Sequence, residues 1–517
     1  MKTFLMHPDR DFDSQPPSQK EPLQFAQDIE LSVLLNAAAA GDRYLYEIMS
    51  AACAHAWAND IATVLYRQEI LKDCLANPAL VRQFYAIAIE PFGRDHSWNF
   101  SLYGRDASSK VGSGVRTLQS CLDVLARLRN ACAANADKFR SRGFQQFFET
   151  LERDLDDAYL QAASADLNNL TFRNGLLLSA QVGDGGKGVG TMLRKPQPRD
   201  LSWVRRTFTP GAPSFTLQLH PRDEAGAQAF GELQNRGLVL ISDAVYQSAE
   251  HVLNFLKALR AELAFYLGCL NLKDQLDRIG EPVAFPEPRH DDKSFRCRNL
   301  RDVCLALTMG RPVVGNDVNA DGKPLVIITG ANRGGKSTFL RSVGLAQLML
   351  QCGLFVTADA LNSSLHTGLF THYKREEDRS MRSGKFDEEL VRMSAIADNI
   401  HRRGLVLFNE SFAATHEREG AEIARQITSA LLDNNVTVFF VSHMYELSRS
   451  FLNDDRVLFL RADRSEDGAR SFRLRAAPPL SKSFGADLYE RIFGAGQTIR
   501  RDDNALSQTA ASSARSQ

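Results

Sequence analysis

Leu325-Val326-Ile327-Ile328-Thr329-Gly330-Ala331-Asn332-Arg333-Gly334-Gly335-Lys336-Ser337-Thr338 is the stretch that decides the fold of this chain. A short apolar run leads straight into a glycine-rich turn, and the amphipathic segment KSTFLRSVGLAQLML follows it. Gly330 to Ser337 fits G-x-x-x-x-G-K-[ST] in the strand–turn–helix setting that gives this pattern its meaning. The glycines let the backbone bend so that successive N–H groups face a phosphate. The helix N-terminus adds its positive end. Lys336 is spaced to reach the β- and γ-phosphate oxygens, and the Ser337 hydroxyl to ligate Mg2+. The candidate ATP-binding residues are therefore Gly330, Ala331, Asn332, Arg333, Gly334, Gly335, Lys336, Ser337 and Thr338.

A phosphate-binding turn of this kind needs a second strand ending in acidic groups, one for the metal and one for the attacking water. Leu405-Val406-Leu407-Phe408-Asn409-Glu410 supplies it, with Glu410 where a general base belongs and Asn409 at the metal-supporting position. Ser337, Asn409 and Glu410 form the candidate metal set. An amide oxygen brings no charge, so Asn409 predicts weakened Mg2+ affinity. A third apolar run, VTVFFVS (Val436 to Ser442), delivers His443, placed to sense a γ-phosphate. RVLFL (Arg456 to Leu460) is a fourth. Apolar runs alternating with helical patterns beyond His290 predict a parallel sheet buried on both faces.

Upstream the texture differs. Residues 1–25 are polar and rich in Pro, Gln and Asp, and read as a disordered tail. Residues 26–182 carry apolar side chains at helical spacing, punctuated at Asn77-Pro78 and Glu90-Pro91. Residues 183–242 open with GDGGKGVG and form a Gly/Pro-rich, partly β insertion, with SFTLQLH (Ser214 to His220) as a strand. Helical periodicity returns over 243–290 and yields to EPVAFPEPRH. The α/β region spans 291–496, and 497–517 reads as a second disordered tail.

Composition sets limits on partners. The 517 residues carry 62 Lys and Arg against 62 Asp and Glu, with 44% hydrophobic and 24% charged residues. Mean hydropathy is −0.26. This is a globular chain, and neither a collagen-like sequence nor a small disulfide scaffold. No stretch approaches the roughly 18 to 20 uninterrupted apolar residues of a membrane helix. The eight cysteines are scattered without CxxC pairs, as expected for buried free thiols in a reducing cytoplasm. Zero net charge requires any DNA affinity to come from a local basic surface. Arg194, Lys195, Arg199, Arg205 and Arg206, with Trp203 among them, make the densest basic-aromatic cluster of the insertion. It suits phosphate contacts and equally a solvated loop face, and both readings stay open.

The sequence resembles the MutS family of DNA mismatch-recognition ATPases. LVIITGANRGGKSTFLRSVGLAQLMLQCGLFVTA is similar to that family's nucleotide-binding region, and LVLFNESFAATHEREG to its acidic strand and following loop. VSHMYEL and SKSFGADL resemble the segments that come next, while TVLYRQEIL and AELAFYLGCLNL look like parts of its core and lever helices. The likeness implies an α+β multidomain chain: a long-helix core/lever bundle, a reduced clamp-like insertion, and an α/β P-loop ATPase domain of ABC type. It also implies a homodimer in which a loop of one subunit completes the partner's nucleotide site. Here that loop reads Ser380-Met381-Arg382-Ser383-Gly384-Lys385-Phe386, with Ser383, Gly384 and Phe386 as the candidates. Asn409 departs from the family's Asp. No counterpart is seen for the N-terminal mismatch-reading domain or the nuclease-type C-terminal domain of the recombination-suppressing relatives. The expected function is a slow, ATP-switched, structure-selective DNA-binding ATPase in mismatch repair or recombination control, with repair or recombination proteins as partners. The alternative is a nucleotide-switched scaffold for protein partners without mismatch recognition.

Overall fold

The computed structural model describes residues 1–15, 24–92, 106–172, 175–186, 188–194, 216, 218–374, 384–464 and 470–480. The chain divides into two compact units, one built from Met1–Phe12 and Asp73–Leu267, the other from Asp13–Lys72 and the residues from Gly268 onward.

The first unit is helical. Helices Pro78–Ile89, Ala107–Ala133, Arg142–Asp154 and Asp157–Asn169 are joined by the larger part of the 55-residue helix Glu224–Arg278. Pro78 sits in the first turn, where its missing N–H is no loss. Asp106 and Asp156 cap their helices by accepting from Ser109 N and Tyr159 N, each at 2.7 Å. Val111, Val115, Leu167 and Val245 form one buried cluster. Phe84, Phe139, Phe144 and Phe148 form another, with the Phe139 and Phe144 rings 4.5 Å apart.

Three features differ from the sequence expectations. The start of the chain is packed: Thr3, Leu5 and Met6 are fully buried, and Phe12 is buried beside them. The physical reason lies some 250 residues away, on the long helix. Glu262, fully buried, accepts from the backbone amides of Leu5 at 2.6 Å, Met6 at 3.3 Å and Phe12 at 2.8 Å. Second, the β portion of the insertion is a hairpin, Leu178–Val182 with Gly188–Leu193, starting before Gly183. Third, the long helix begins at Glu224 and not near Asp243. Asp223 caps it by accepting from Gly226 N at 2.9 Å, and Gly237 lets Leu178 of the hairpin press onto it. Over the strand expected at Ser214 to His220, residues 216 and 218–220 carry no strand, and the other three lie outside the described residues.

The second unit carries a six-stranded sheet. We label its strands β1 (Leu325–Gly330), β2 (Leu369–Tyr373), β3 (Leu405–Asn409), β4 (Thr437–Val441), β5 (Val457–Arg464) and β6 (Arg470–Ala476). Helices α1 (Lys336–Cys352), α2 (Lys385–Asn399) and α3 (Glu417–Asp433) alternate with them. The order is β6-β5-β1-β4-β3-β2, parallel except for β6 against β5. β1 and β3 are buried along nearly their whole length, as their unbroken apolar runs require. Phe408 and Phe440 stack at 4.8 Å in a core shared with Val406, Val438, Ala424 and Leu431. Strands β4 and β5 follow each other in sequence but flank β1 on opposite sides, and the carboxyl ends of strands at such a reversal open a crevice.

A four-stranded sheet of Glu287–Arg289, Ala360–Ser364, Phe295–Leu300 and Asn316–Asn319 completes the unit. Residues 26–72, expected with the helical bundle, pack here instead. Asn59 Nδ2 donates to Gln351 O at 2.8 Å and Thr371 Oγ1 to Asp28 at 2.7 Å, while Ile29 abuts Gly344 of α1.

Candidate functional site

The segments that follow β1 and β3 border one cleft of about 510 Å3, lined by Asn332 to Thr338, Glu410 and Phe472. Gly330 closes β1 at φ 112°, and a Cβ there would meet the Ala462 backbone nitrogen at 2.9 Å. Only glycine fits a turn this close to a neighbouring strand. The helix α1 then starts at Lys336 with its first amides directed at the cleft.

Lys336 is buried, and its Nζ donates to the carbonyls of Gly330 at 2.9 Å and Ala331 at 3.0 Å. Burial holds its pKa down at about 8, against a smaller opposing pull from Glu410. Ser337 Oγ donates to Asn409 Oδ1 at 2.9 Å, joining two of the three expected metal-set residues. Glu410 Oε1 and His443 Nε2 lie 2.9 Å apart. That hydrogen bond is the main reason the Glu410 carboxyl titrates below its usual range, although burial acts the other way. Glu410 has φ 55°, a left-handed conformation rare for a non-glycine residue, and its N–H donates to Val441 O at 2.9 Å.

Asn332 to Thr338, together with Glu410, border one cleft; Gly330 and Ala331 meet it through Lys336, Asn409 through Ser337 and His443 through Glu410. Ser337, Asn409 and Glu410 offer a hydroxyl, an amide oxygen and one carboxylate. This all-oxygen set with a single charge suits Mg2+, which keeps waters and takes substrate phosphates as further ligands.

Other expected positions lie elsewhere. Gly384 caps α2, and Phe386 on its first turn packs against the core. Arg194 ends the hairpin exposed, its Nε donating to Ser179 Oγ at 2.8 Å. Ser383, Lys195, Arg199, Arg205 and Arg206 lie outside the described residues, as do the SKSFGADL segment and 497–517.

The apolar wall of the cleft was not foreseen. Met309, Pro312, Val313 and Val314 face it, with Phe472 from β6. Asn316 pins that strand: its Oδ1 accepts from Leu474 N at 2.7 Å, and its Nδ2 donates to Phe472 O at 3.4 Å. The period-two pattern of RSFRLRA was the available signal for β6.

The MutS2 N-terminal domain matches residues 59–279, and MutS domain V matches residues 326–501. A helical MutS2-type region and a domain V thus coexist in one chain. The chain belongs to the MutS family. It is 31% identical over 382 residues to MutS protein homolog 4 of Mus musculus, covering 73% of this chain and 38% of that protein. It is 30% identical over 248 residues to the DNA mismatch repair protein MutS of Chloroflexus aurantiacus, covering 40% of this chain and 26% of that protein. The MutS protein of Thermus thermophilus is 30% identical over 187 residues, 36% and 23% of the two chains. The chain therefore matches between about a quarter and two fifths of these relatives' lengths. Among the described residues, no helix is long and apolar enough to cross a membrane.

Proposed function

We propose that this protein is an ATP-hydrolysing, nucleotide-switched homodimer that binds DNA of unusual structure in mismatch repair or recombination control. The observation that supports it most is the convergence of Lys336, the Ser337–Asn409 pair and the Glu410–His443 pair on one cleft. Lys336, held by two loop carbonyls, exchanges those for phosphate oxygens when a nucleotide enters. Glu410, kept ionised, accepts a proton from the attacking water. His443 orients that carboxylate and, through it, reports the state of the γ-phosphate. Ser337, Asn409 and Glu410 would hold Mg2+, which supplies neutralisation of the β- and γ-phosphate charge. Gly384 and Phe386, with Ser383, would complete the site of a second subunit, so that ATP closes the dimer. The basic residues Arg194, Lys195, Arg199, Arg205 and Arg206 would meet DNA phosphates.

The test is binding of the full chain to homoduplex, mismatched and branched DNA, each with and without ATP, over a salt series. ATP is expected to change affinity for at least one DNA, with a steep salt dependence. Equal affinities with and without ATP for all three would overturn the switch.

A further inference from the structure

Glu410, Ser411 and Phe412 form a strained corner. Glu410 and Phe412 both adopt left-handed backbone, at φ 55° and 62°. Such conformations are costly and persist only where the surroundings dictate them. The Phe412 carbonyl fits because residue 420 is glycine; a Cβ there would lie 2.2 Å from that oxygen.

Packed against the corner is His372, at the end of β2 and fully buried. Its ring stacks on Phe412 with centroids 5.1 Å apart and planes 13° from parallel. Ser411 Oγ lies 2.7 Å from its Nδ1 and within reach of its backbone carbonyl, so the one hydroxyl proton serves one of these two acceptors at a time. Its Nε2 faces the carbonyl of Glu389 at 3.0 Å. A carbonyl can only accept, so Nε2 carries the proton and donates. Glu389 lies on α2, the helix that also bears Phe386 and follows Gly384. One buried imidazole therefore touches Ser411 and Phe412 of the corner and the Glu389 carbonyl on α2.

We propose that His372 is a positioning residue for Glu410: it holds the strained Glu410–Phe412 corner and couples it to α2. This rests on the hydrolytic reading of the cleft given above. A shift of α2 on dimer closure would pull on Nε2, turn the ring, and move the Ser411 hydroxyl beside Glu410. His372 contacts no reacting atom in this account, and its influence passes through Ser411 and Phe412.

The experiment compares steady-state Mg2+-ATP hydrolysis, binding of the fluorescent analogue mant-ATP, and thermal midpoint in the full chain and three variants. Ser411→Ala removes a single oxygen. His372→Gln keeps a donor near Nε2 but loses the Nδ1 contact, whereas His372→Asn keeps a polar group near Nδ1. The proposal expects kcat to fall on the order of tenfold or more in Ser411→Ala and His372→Gln. KM and mant-ATP affinity should stay within about twofold, and His372→Asn should retain more turnover than His372→Gln. If the natural protein turns over ATP and both Ser411→Ala and His372→Gln keep its kcat, the assignment of His372 is overturned. It is equally overturned if kcat, mant-ATP affinity and thermal midpoint fall together. A natural protein that binds mant-ATP but never hydrolyses ATP overturns the hydrolytic reading itself.

Discussion

Glu410 and His443, delivered by adjacent parallel strands, meet through a 2.9 Å contact between Oε1 and Nε2. The contact is the main influence that keeps the carboxylate charged to lower pH. Hydrogen bonding to His443 lowers the Glu410 pKa, while its partial burial raises it. In His443→Ala the lowering influence goes and the raising one stays. The acid limb of the kcat/KM profile should therefore move to higher pH, measured as hydrolysis rate across about pH 4 to 8. An unmoved limb contradicts the pairing.

Lys336 predicts the alkaline side. Burial depresses its pKa to about 8, so the fold disfavours the charged amine. The sign is the reverse of that for a paired lysine. Unliganded stability should rise as pH increases from about 8 toward the ordinary lysine value of 10.5, as the burden of the buried charge is relieved. Phosphate binding needs the charge, so ADP affinity should fall over the same window, by up to about tenfold per pH unit. Isothermal titration across that range checks both the direction and the slope.

Asn409→Asp keeps the acceptor for the Ser337 hydroxyl and adds a negative charge. The Mg2+ concentration for half-maximal hydrolysis should fall, by roughly tenfold, because affinity follows ligand charge. Identical Mg2+ dependence in the natural protein and the variant would remove Asn409 from the metal set.

Glu262 makes stability itself pH-dependent. Burial raises its pKa to about 7 despite three backbone hydrogen bonds. A folded-state pKa above the unfolded value of 4.5 means the native chain binds the extra proton, so its stability contribution declines as pH rises from 4.5 to about 7. The decline is on the order of 3 kcal/mol at full expression. Denaturant melts of the natural protein and Glu262→Gln over that range should diverge with pH, and parallel profiles contradict the assignment.

The legible part of the molecule was the local part. Gly330 to Ser337 is contiguous, and Glu410 and His443 each end an apolar run, so spacing alone marked them. Contacts between distant segments carry no such mark. Asn316 reaches Phe472 from 156 residues away, and nothing near either residue announces the pair. The amides of residues 5 to 12 find Glu262 more than 240 positions later, which turns a polar N-terminus into packed structure. The early start of the long helix was hidden by Gly226, Gly231 and Gly237, which weaken helical propensity but are offset by the Asp223 cap and the hairpin packed on Gly237. His372 was unmarked because its importance lies in what its ring touches.

The central claim, that the cleft hydrolyses ATP with Glu410 as base, is tested most directly by single-turnover hydrolysis of Mg2+-ATP in Glu410→Gln. The account predicts that the variant still binds nucleotide while its hydrolysis rate falls by about a hundredfold or more. Hydrolysis at the natural rate in Glu410→Gln would contradict it.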